Sequence, residues 1–296
     1  MVDTKPDLIP PIFLLGSGRT GTNLIQRILT HHPDLEGWVE PRTVWTYPDP
    51  GRLHDRFDEK DATKRAESYI HKRFRSYQHR HGNRRIFEKT PSNIMRIPYV
   101  HTLFPDSPLI YIIRAPFPTI QSFERLWRKP PDSNRMVARL LETPSWQLPF
   151  FAGRFLKEQI DTRLFHRKHV QVRGVRYPGI YADRKTLTVE QIIAKQWVAC
   201  AQQADQDLAR INPGLVMRLK FEEFIADPLN HVAAILKHVK MPMSKHLAKI
   251  VRQQVDPNRP GQWGTPPAEM VRQCLPIVGK EAAKQGYPLN HLEVQH

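Results

Sequence analysis

Short apolar runs recur along the chain and alternate with amphipathic stretches, a pattern typical of a sheet covered by helices. Buried strands are predicted at Ile12–Leu15, Ile86–Glu88, Leu109–Ile113 and Leu215–Phe221. Apolar positions at helical spacing predict helices directly after the first run, over Val189–Leu208 and over Val232–Val239. We therefore expect an α/β fold with a central, mainly parallel β-sheet flanked by helices, in a single domain over residues 1–296.

The loop after the first run, Gly16-Ser-Gly-Arg-Thr-Gly-Thr-Asn23, predicts a phosphate site. Its glycines allow a sharp turn into a helix N-terminus, where backbone N–H groups and the helix dipole favour an anion. The outer glycines have the spacing of a nucleoside triphosphate loop, but Thr22 replaces its lysine and Asn23 its metal-binding hydroxyl. A magnesium–triphosphate site is therefore disfavoured, and Arg19 supplies the cation. The alternative is a glycine-rich turn that binds no ligand.

A second strand end carries a second pattern suited to phosphate. Arg114 follows the run at Leu109–Ile113, and Ser122 comes eight residues later on a helix begun by prolines. Because ligands bind beyond the carboxyl ends of parallel strands, we expect Arg114 to share an edge with the first loop. Arginine binds phosphate bidentately, so the two patterns fit a nucleotide with two separate phosphates. The alternative is an arginine paired with a carboxylate and a serine that caps its own helix.

Together these patterns resemble the sulfotransferases that use 3′-phosphoadenylyl sulfate (PAPS). Residues 16–23 are similar to their 5′-phosphosulfate loop, in the variant with arginine where other branches have lysine. Residues 110–123 are similar to their 3′-phosphate segment. Three more segments follow in the order of the family: Phe87–Pro91, Met217–Pro228 and Arg259–Gly264. The resemblance covers most of the chain and implies a P-loop-like fold.

The resemblance also implies a role for each matching residue in sulfuryl transfer. Arg19 is the cation beside the leaving oxygen, and Arg114 and Ser122 hold the 3′-phosphate. Arg259 and Gly261 join them from a late loop that closes over the nucleotide in the family. The first loop holds the 5′-phosphate through Ser17, Gly18, Arg19, Thr20, Gly21, Thr22 and Asn23. The transfer needs no metal, and we expect none.

The sequence offers several candidates for the general base. Glu40 lies where related branches carry a catalytic glutamate, and its alternative role is an ion pair with Arg42. Other branches use histidine, but His101 falls at a helical position that favours a structural role. Lys89 corresponds to a lysine that some carbohydrate-modifying branches place near the transferred group, and its alternative is pairing with Glu88. The choice between Glu40 and a histidine stays open at this point.

The charge of the chain indicates an anionic partner. Its 45 lysines and arginines against 29 acidic residues leave a formal charge of +16, which suits a nucleotide, an acidic acceptor, a membrane surface or nucleic acid. Basic runs at 70–75, 79–85 and 163–173 make nucleic-acid binding the non-enzymatic alternative, but zinc-finger, RNP and heptad patterns are missing beside them. A P-loop kinase is the alternative enzyme class. We expect a PAPS-dependent sulfotransferase that binds no nucleic acid.

An irregular region from about residue 128 to 190 predicts the acceptor side of the site or a lid. Prolines punctuate it, and it concentrates aromatic residues at Trp146, Phe150, Phe151 and Phe155. The alternative is an aromatic core packed on the sheet. The acceptor itself stays open, since a small molecule, a carbohydrate or a lipid fits equally.

Two cysteines, Cys200 and Cys274, do not suggest a disulfide framework and favour a reducing compartment. The N-terminus lacks the apolar core of a signal peptide, and no apolar run is long enough to span a membrane. We expect a cytoplasmic protein that contacts a membrane at most transiently, to reach a lipid acceptor.

Overall fold

A computed structural model describes residues 8–128, 143–153, 156, 172–256, 265–287 and 289 of the chain. Within these residues, five strands form one sheet in the order β2-β3-β1-β4-β5, and every neighbouring pair is parallel. The strands are β1 Ile12–Leu15, β2 Leu35–Val39, β3 Arg85–Lys89, β4 Leu109–Ile113 and β5 Val216–Lys220. The predicted parallel sheet is confirmed.

The strand register brings the carboxyl ends of the strands to one edge. Val39 pairs with Lys89 and Ile113 pairs with Lys220. The segments that follow the strands therefore start side by side. In sheet order, this edge carries Glu40, Thr90, the glycine-rich loop, Arg114 and Phe221.

Helices cover both faces of the sheet. Within the described ranges they include α1 Thr22–Leu29, α2 Arg42–Trp45, α3 Lys64–Arg80, α4 Ile97–Leu103, α5 Pro116–Arg128, α6 Ile180–Asp183, α7 Val189–Leu208, α8 Phe221–Ala226, α9 Pro228–His238, α10 Lys245–Gln254 and α11 Ala268–Lys284. Among the described residues, no helix is both long and apolar enough to cross a membrane.

Alternation along the strands divides the core into two layers. Phe13 and Leu15 pack with α3, α5 and α7, whereas Ile12 and Leu14 pack with α1, α9 and α10 on the opposite face. A strand buried on both faces has a continuous apolar sequence, which is why the run at β1 could be found without any alternation of polar residues.

The predicted helix at Val232–Val239 begins one turn earlier, at Pro228. A carboxylate oxygen of Asp227 accepts a hydrogen bond from the Asn230 N–H at 3.3 Å and caps the helix. Proline suits the first helical position because its missing N–H would have no partner there. Apolar spacing alone does not reveal such a polar first turn.

Candidate active site

The loop between β1 and α1 has the backbone shape of an anion cradle. Arg19 and Gly21 adopt left-handed conformations, with φ of 72° and 93°, and turn the chain sharply before α1 begins at Thr22. Inside the turn, Thr20 Oγ1 donates to the Ser17 carbonyl oxygen at 2.8 Å. The N-terminus of α1, with its unpaired N–H groups and positive dipole end, therefore lies at the strand edge.

Close packing explains the glycine at position 21. A Cβ atom there would lie 2.3 Å from a carbon of the Phe221 ring, and the positive φ disfavours any side chain. The hydroxyl side chains of the loop are buried, whereas Arg19 and Asn23 are exposed. The cation of the loop is thus accessible to a ligand.

Arg114 lies at the end of β4 and packs directly against this loop. Its Nη1 donates to the Arg19 carbonyl oxygen at 3.1 Å, and its guanidinium carbon lies 4.6 Å from the centre of the Phe221 ring. Burial lowers the pKa of Arg114 to about 10, although the nearby Glu222 carboxylate opposes this change. Arg114 is therefore still a cation at neutral pH. The alternative role of Arg114, pairing with a carboxylate, has Glu222 as its nearby candidate.

Arg19 contacts both residues of the second predicted phosphate pattern. Its side-chain Nε donates to Ser122 Oγ at 2.9 Å, and its backbone carbonyl oxygen accepts from Arg114. Ser122 is buried in the interior of α5, so it does not cap that helix. Arg19, Arg114 and Ser122 thus form one cluster, as the shared strand edge predicts.

Glu40 directly follows β2, and two cations hold its carboxylate. Oε1 accepts from Lys89 Nζ at 3.0 Å, and Oε2 accepts from Arg42 Nη2 at 2.5 Å. The Lys89 side chain is 2% exposed and the Glu40 side chain 24%. Burial raises the pKa of Glu40, but Arg42 and Lys89 outweigh burial and lower the pKa to about 2. The pair with Arg42 that the sequence left open is present, and Lys89 binds Glu40 rather than Glu88.

Residues 10–150 match the model of the sulfotransferase family. The resemblance to sulfotransferases that the sequence motifs predict is therefore confirmed for this part of the chain. The chain is 27% identical over 206 residues to the nodulation protein NoeE of Sinorhizobium fredii, a match that covers 62% of this chain and 48% of NoeE. The chain therefore spans about half the length of this curated relative.

Two solved structures illustrate the fold that this chain shares with known proteins. The sulfotransferase domain from the curacin biosynthetic pathway matches with a TM-score of 0.51 and 15% identity, over 96% of this chain and 100% of that domain. Sulfotransferase STF9 from Mycobacterium avium matches with a TM-score of 0.54 and 14% identity, over 94% of this chain and 77% of STF9. The predicted fold is confirmed.

Several contacts of the candidate site are not predicted by the sequence. Glu222 accepts from the backbone N–H that follows Arg114 at 3.0 Å and from Tyr287 Oη at 2.9 Å. Trp197 Nε1 donates to the Arg114 carbonyl oxygen at 2.8 Å. The position of Phe221 and Glu222 directly after β5 is a sequence signal for their place at this edge. Trp197 lies on α7 and Tyr287 three residues beyond the end of α11, both distant in sequence, and only packing brings them here.

The other residues that the sequence singles out are Arg259, Gly261, His101 and the two cysteines. Arg259 and Gly261 lie outside the described residues, as does Phe155. His101 is half-buried on α4, where burial lowers the pKa of its imidazole, in keeping with a structural role. Both cysteines are buried and free.

The described part of the irregular region places aromatic side chains beside α2. The ring of Trp146 contacts that of Tyr47 edge-on, with centroids 5.4 Å apart, and Gln147 Nε2 donates to the Thr43 carbonyl oxygen at 3.0 Å. Trp146 and Phe150 are exposed. Because α2 begins two residues after Glu40, these rings lie near the edge of the sheet that carries Glu40.

Glu88 is a buried carboxyl group for which the sequence indicates only an alternative pairing with Lys89. Its Oε1 accepts from Trp45 Nε1 at 3.0 Å and Thr90 Oγ1 at 2.5 Å, and its Oε2 accepts from Asn93 Nδ2 at 3.0 Å. Burial raises the pKa of Glu88 to about 7 in spite of these donors. Glu88 links α2 to the turn after β3, and so supports the two segments that carry Glu40 and Lys89.

The raised pKa of Glu88 should make the protein less stable as the pH rises. An unfolded glutamate loses its proton near 4.5 but folded Glu88 only near 7, so the folded state binds more protons between these values. The free energy of unfolding should fall across this interval by up to about 3 kcal/mol, at about 1.4 kcal/mol per pH unit. Urea unfolding at about pH 5 and about pH 8 should show a larger fall for wild type than for Glu88→Gln. If the free energy of unfolding falls equally in both proteins, the pKa assigned to Glu88 is wrong.

Proposed function

We propose that this chain transfers a sulfuryl group from PAPS to a hydroxyl or amine and releases adenosine 3′,5′-bisphosphate. The observation that carries the proposal is the cluster of Arg19, Arg114 and Ser122, in which the side chain of Arg19 contacts Ser122 and its carbonyl oxygen accepts from Arg114. A nucleotide with phosphates at its 3′ and 5′ positions suits such a paired site. The match of residues 10–150 to the sulfotransferase family model supports the same reaction.

In this proposal the loop and the start of α1 bind the 5′-phosphosulfate through backbone N–H groups. The Arg19 side chain leaves Ser122 and neutralises the oxygen that bridges phosphorus and sulfur. Arg114 and Ser122 bind the 3′-phosphate, with Arg259 and Gly261 as further proposed contacts. A guanidinium group suits both positions because it stays charged and binds two oxygens at once.

Glu40 is the proposed general base. Its carboxylate takes the acceptor proton while the acceptor oxygen bonds to sulfur. The bond from sulfur to the 5′-phosphate breaks, and its electron pair stays on the departing bisphosphate. Because a carboxylate with a pKa of about 2 is a weak base, the proton moves as the new bond forms and not before it. Lys89 orients Glu40 and adds positive charge near the transferred group.

Calorimetry with adenosine 3′,5′-bisphosphate tests the donor assignment. We expect binding that is unchanged by EDTA, because arginines and backbone amides supply the positive potential at this site. ATP with magnesium should bind more weakly, since Thr22 and Asn23 stand where a triphosphate loop has lysine and a metal-binding hydroxyl. Binding of ATP with magnesium and no binding of the bisphosphate would contradict the proposal and support a kinase.

A further inference from the structure

The peptide bond between Arg114 and Ala115 has both of its polar groups held by side chains from other parts of the chain. On one side, Trp197 Nε1 on α7 donates to the Arg114 carbonyl oxygen at 2.8 Å. On the other side, the Ala115 N–H donates to Glu222 Oε1 on α8 at 3.0 Å. The residue before Glu222, Phe221, packs its ring against the Arg114 guanidinium group. We call Trp197, Phe221 and Glu222 the Arg114 clamp.

The sequence explains why this peptide bond needs side-chain partners. Arg114 and Ala115 connect the end of β4 to Pro116, the first residue of α5. The Arg114 carbonyl oxygen cannot accept a helical hydrogen bond from four residues later, because residue 118 is proline and has no N–H. The Ala115 N–H comes before the helix, where backbone donors have no acceptor within the helix. Backbone groups away from water are costly when unpaired, so side chains supply the partners here.

The clamp is itself fixed from a third part of the chain. Tyr287, which follows α11, donates its hydroxyl to Glu222 Oε2 at 2.9 Å, so each oxygen of the Glu222 carboxylate accepts one hydrogen bond. Burial and the Glu222 carboxylate raise the pKa of Tyr287, and its hydroxyl therefore keeps its proton and remains a donor. Trp197 is 2% exposed and packs in the core beside β4. The Arg114 backbone is thus held by groups that are fixed in their own right.

We propose that Trp197 and Glu222 are positioning residues that hold Arg114 for the 3′-phosphate, an inference that rests on the function proposed above. Neither side chain needs to touch the nucleotide, because each acts through the Arg114 backbone. Two parallel hydrogen bonds to phosphate form only when the guanidinium group already has the right position and orientation. The held peptide bond fixes where the Arg114 side chain begins, and the Phe221 ring supports its guanidinium end. The Arg114 clamp therefore favours nucleotides with a 3′-phosphate over those that lack it.

Calorimetry with adenosine 3′,5′-bisphosphate and adenosine 5′-monophosphate tests the Arg114 clamp. Trp197→Phe removes the indole donor and keeps an aromatic ring, whereas Glu222→Ala removes the acceptor of the Ala115 N–H. Each variant should bind the bisphosphate about tenfold more weakly than wild type, as expected for one lost hydrogen bond that orients a charged group. The affinity for the monophosphate should not change, since it lacks the group that Arg114 binds. Thermal unfolding checks that each variant folds.

Matched variants separate the hydrogen bonds of the clamp from charge and from ring size. Glu223→Ala removes the exposed carboxylate of the next residue, and Trp127→Phe removes an indole N–H that has no partner in the described part of the chain. Neither should weaken the binding of either nucleotide. Glu222→Gln keeps an oxygen for the Ala115 N–H and gains an amide donor for the Tyr287 hydroxyl oxygen. It should therefore bind the bisphosphate at least as tightly as wild type does.

The decisive measurement repeats Trp197→Phe and Glu222→Ala in a protein that also carries Arg114→Ala. Residues that act through the Arg114 side chain should cause no further loss of bisphosphate affinity there, whereas general damage to the site would add its own loss.

Four results would overturn the inference while leaving the proposed function in place. They are an additive loss in the Arg114→Ala protein, an equal loss for both nucleotides, unchanged bisphosphate affinity in Trp197→Phe and Glu222→Ala, and a loss in Glu222→Gln as large as in Glu222→Ala. If wild type does not bind the bisphosphate at all, the proposed function is contradicted and the inference falls with it.

Discussion

Replacing Arg114 by alanine should weaken the binding of adenosine 3′,5′-bisphosphate by about 100-fold. The guanidinium group is the buried cation of the proposed 3′-phosphate site, and charge-assisted hydrogen bonds to such a group contribute about 3 kcal/mol. The variant should fold, because Glu222 keeps its hydrogen bonds from the N–H of residue 115 and from Tyr287. Calorimetry on the wild type and the variant measures the ratio of the two dissociation constants.

The same experiment with adenosine 5′-monophosphate separates a specific loss from a general one. This ligand lacks the 3′-phosphate, so Arg114→Ala should bind it about as well as wild type does. Arg218→Ala is the control variant, since Arg218 lies on neighbouring β5, where it pairs with Asp205. An equal loss of affinity for both nucleotides would show that Arg114 maintains the loop through the Arg19 carbonyl oxygen and does not bind the 3′-phosphate.

The apolar pattern predicts the interior strands and the edge strand β5 well, but it misses the other edge strand, β2. β1 and β4 are continuous apolar runs because both of their faces are buried, and their bounds match the predicted ones. β2, with the sequence Leu-Glu-Gly-Trp-Val, is an edge strand with partly exposed side chains. It has no apolar run to mark it, and the sequence indicates only the glutamate that follows it, Glu40.

The site shows the same contrast between local and long-range information. The sequence predicts parallel strands, and parallel strands place the loop and Arg114 at the same edge of the sheet. The pairing of Lys89 with Glu40 depends on the register between β2 and β3, in which Val39 lies opposite Lys89. Alternation along β3 sends Glu88 to the other face, so the neighbour in sequence is not the partner in space.

Replacing Glu40 by glutamine should lower turnover by about 10²-fold to 10⁴-fold, the usual contribution of a general base. Binding of adenosine 3′,5′-bisphosphate should be retained, because the contacts of the Glu40 side chain are with Arg42 and Lys89 and not with the phosphate cluster. Turnover is measured as sulfuryl transfer from labelled PAPS. Glu36→Gln, a carboxylate of β2 paired with Arg84, is the control and should keep its activity.

The pH dependence of the wild type distinguishes Glu40 from a histidine as the base. With a pKa of about 2, Glu40 is ionised throughout the neutral and mildly acidic range, so turnover should not fall as the pH decreases from about 8 to about 5. A fall with an apparent pKa near 6.5 would point to histidine.

The acidity of the acceptor provides the second distinction, between a base and a residue that only positions Lys89. An acceptor hydroxyl that is already largely ionised needs no base, so the loss in Glu40→Gln should shrink as the acceptor pKa falls across a series of accepted substrates. A loss of the same size for every acceptor would mean that Glu40 acts through Lys89. In that case the buried ammonium group, held at 3.0 Å from the carboxylate, would be the group that the reaction depends on.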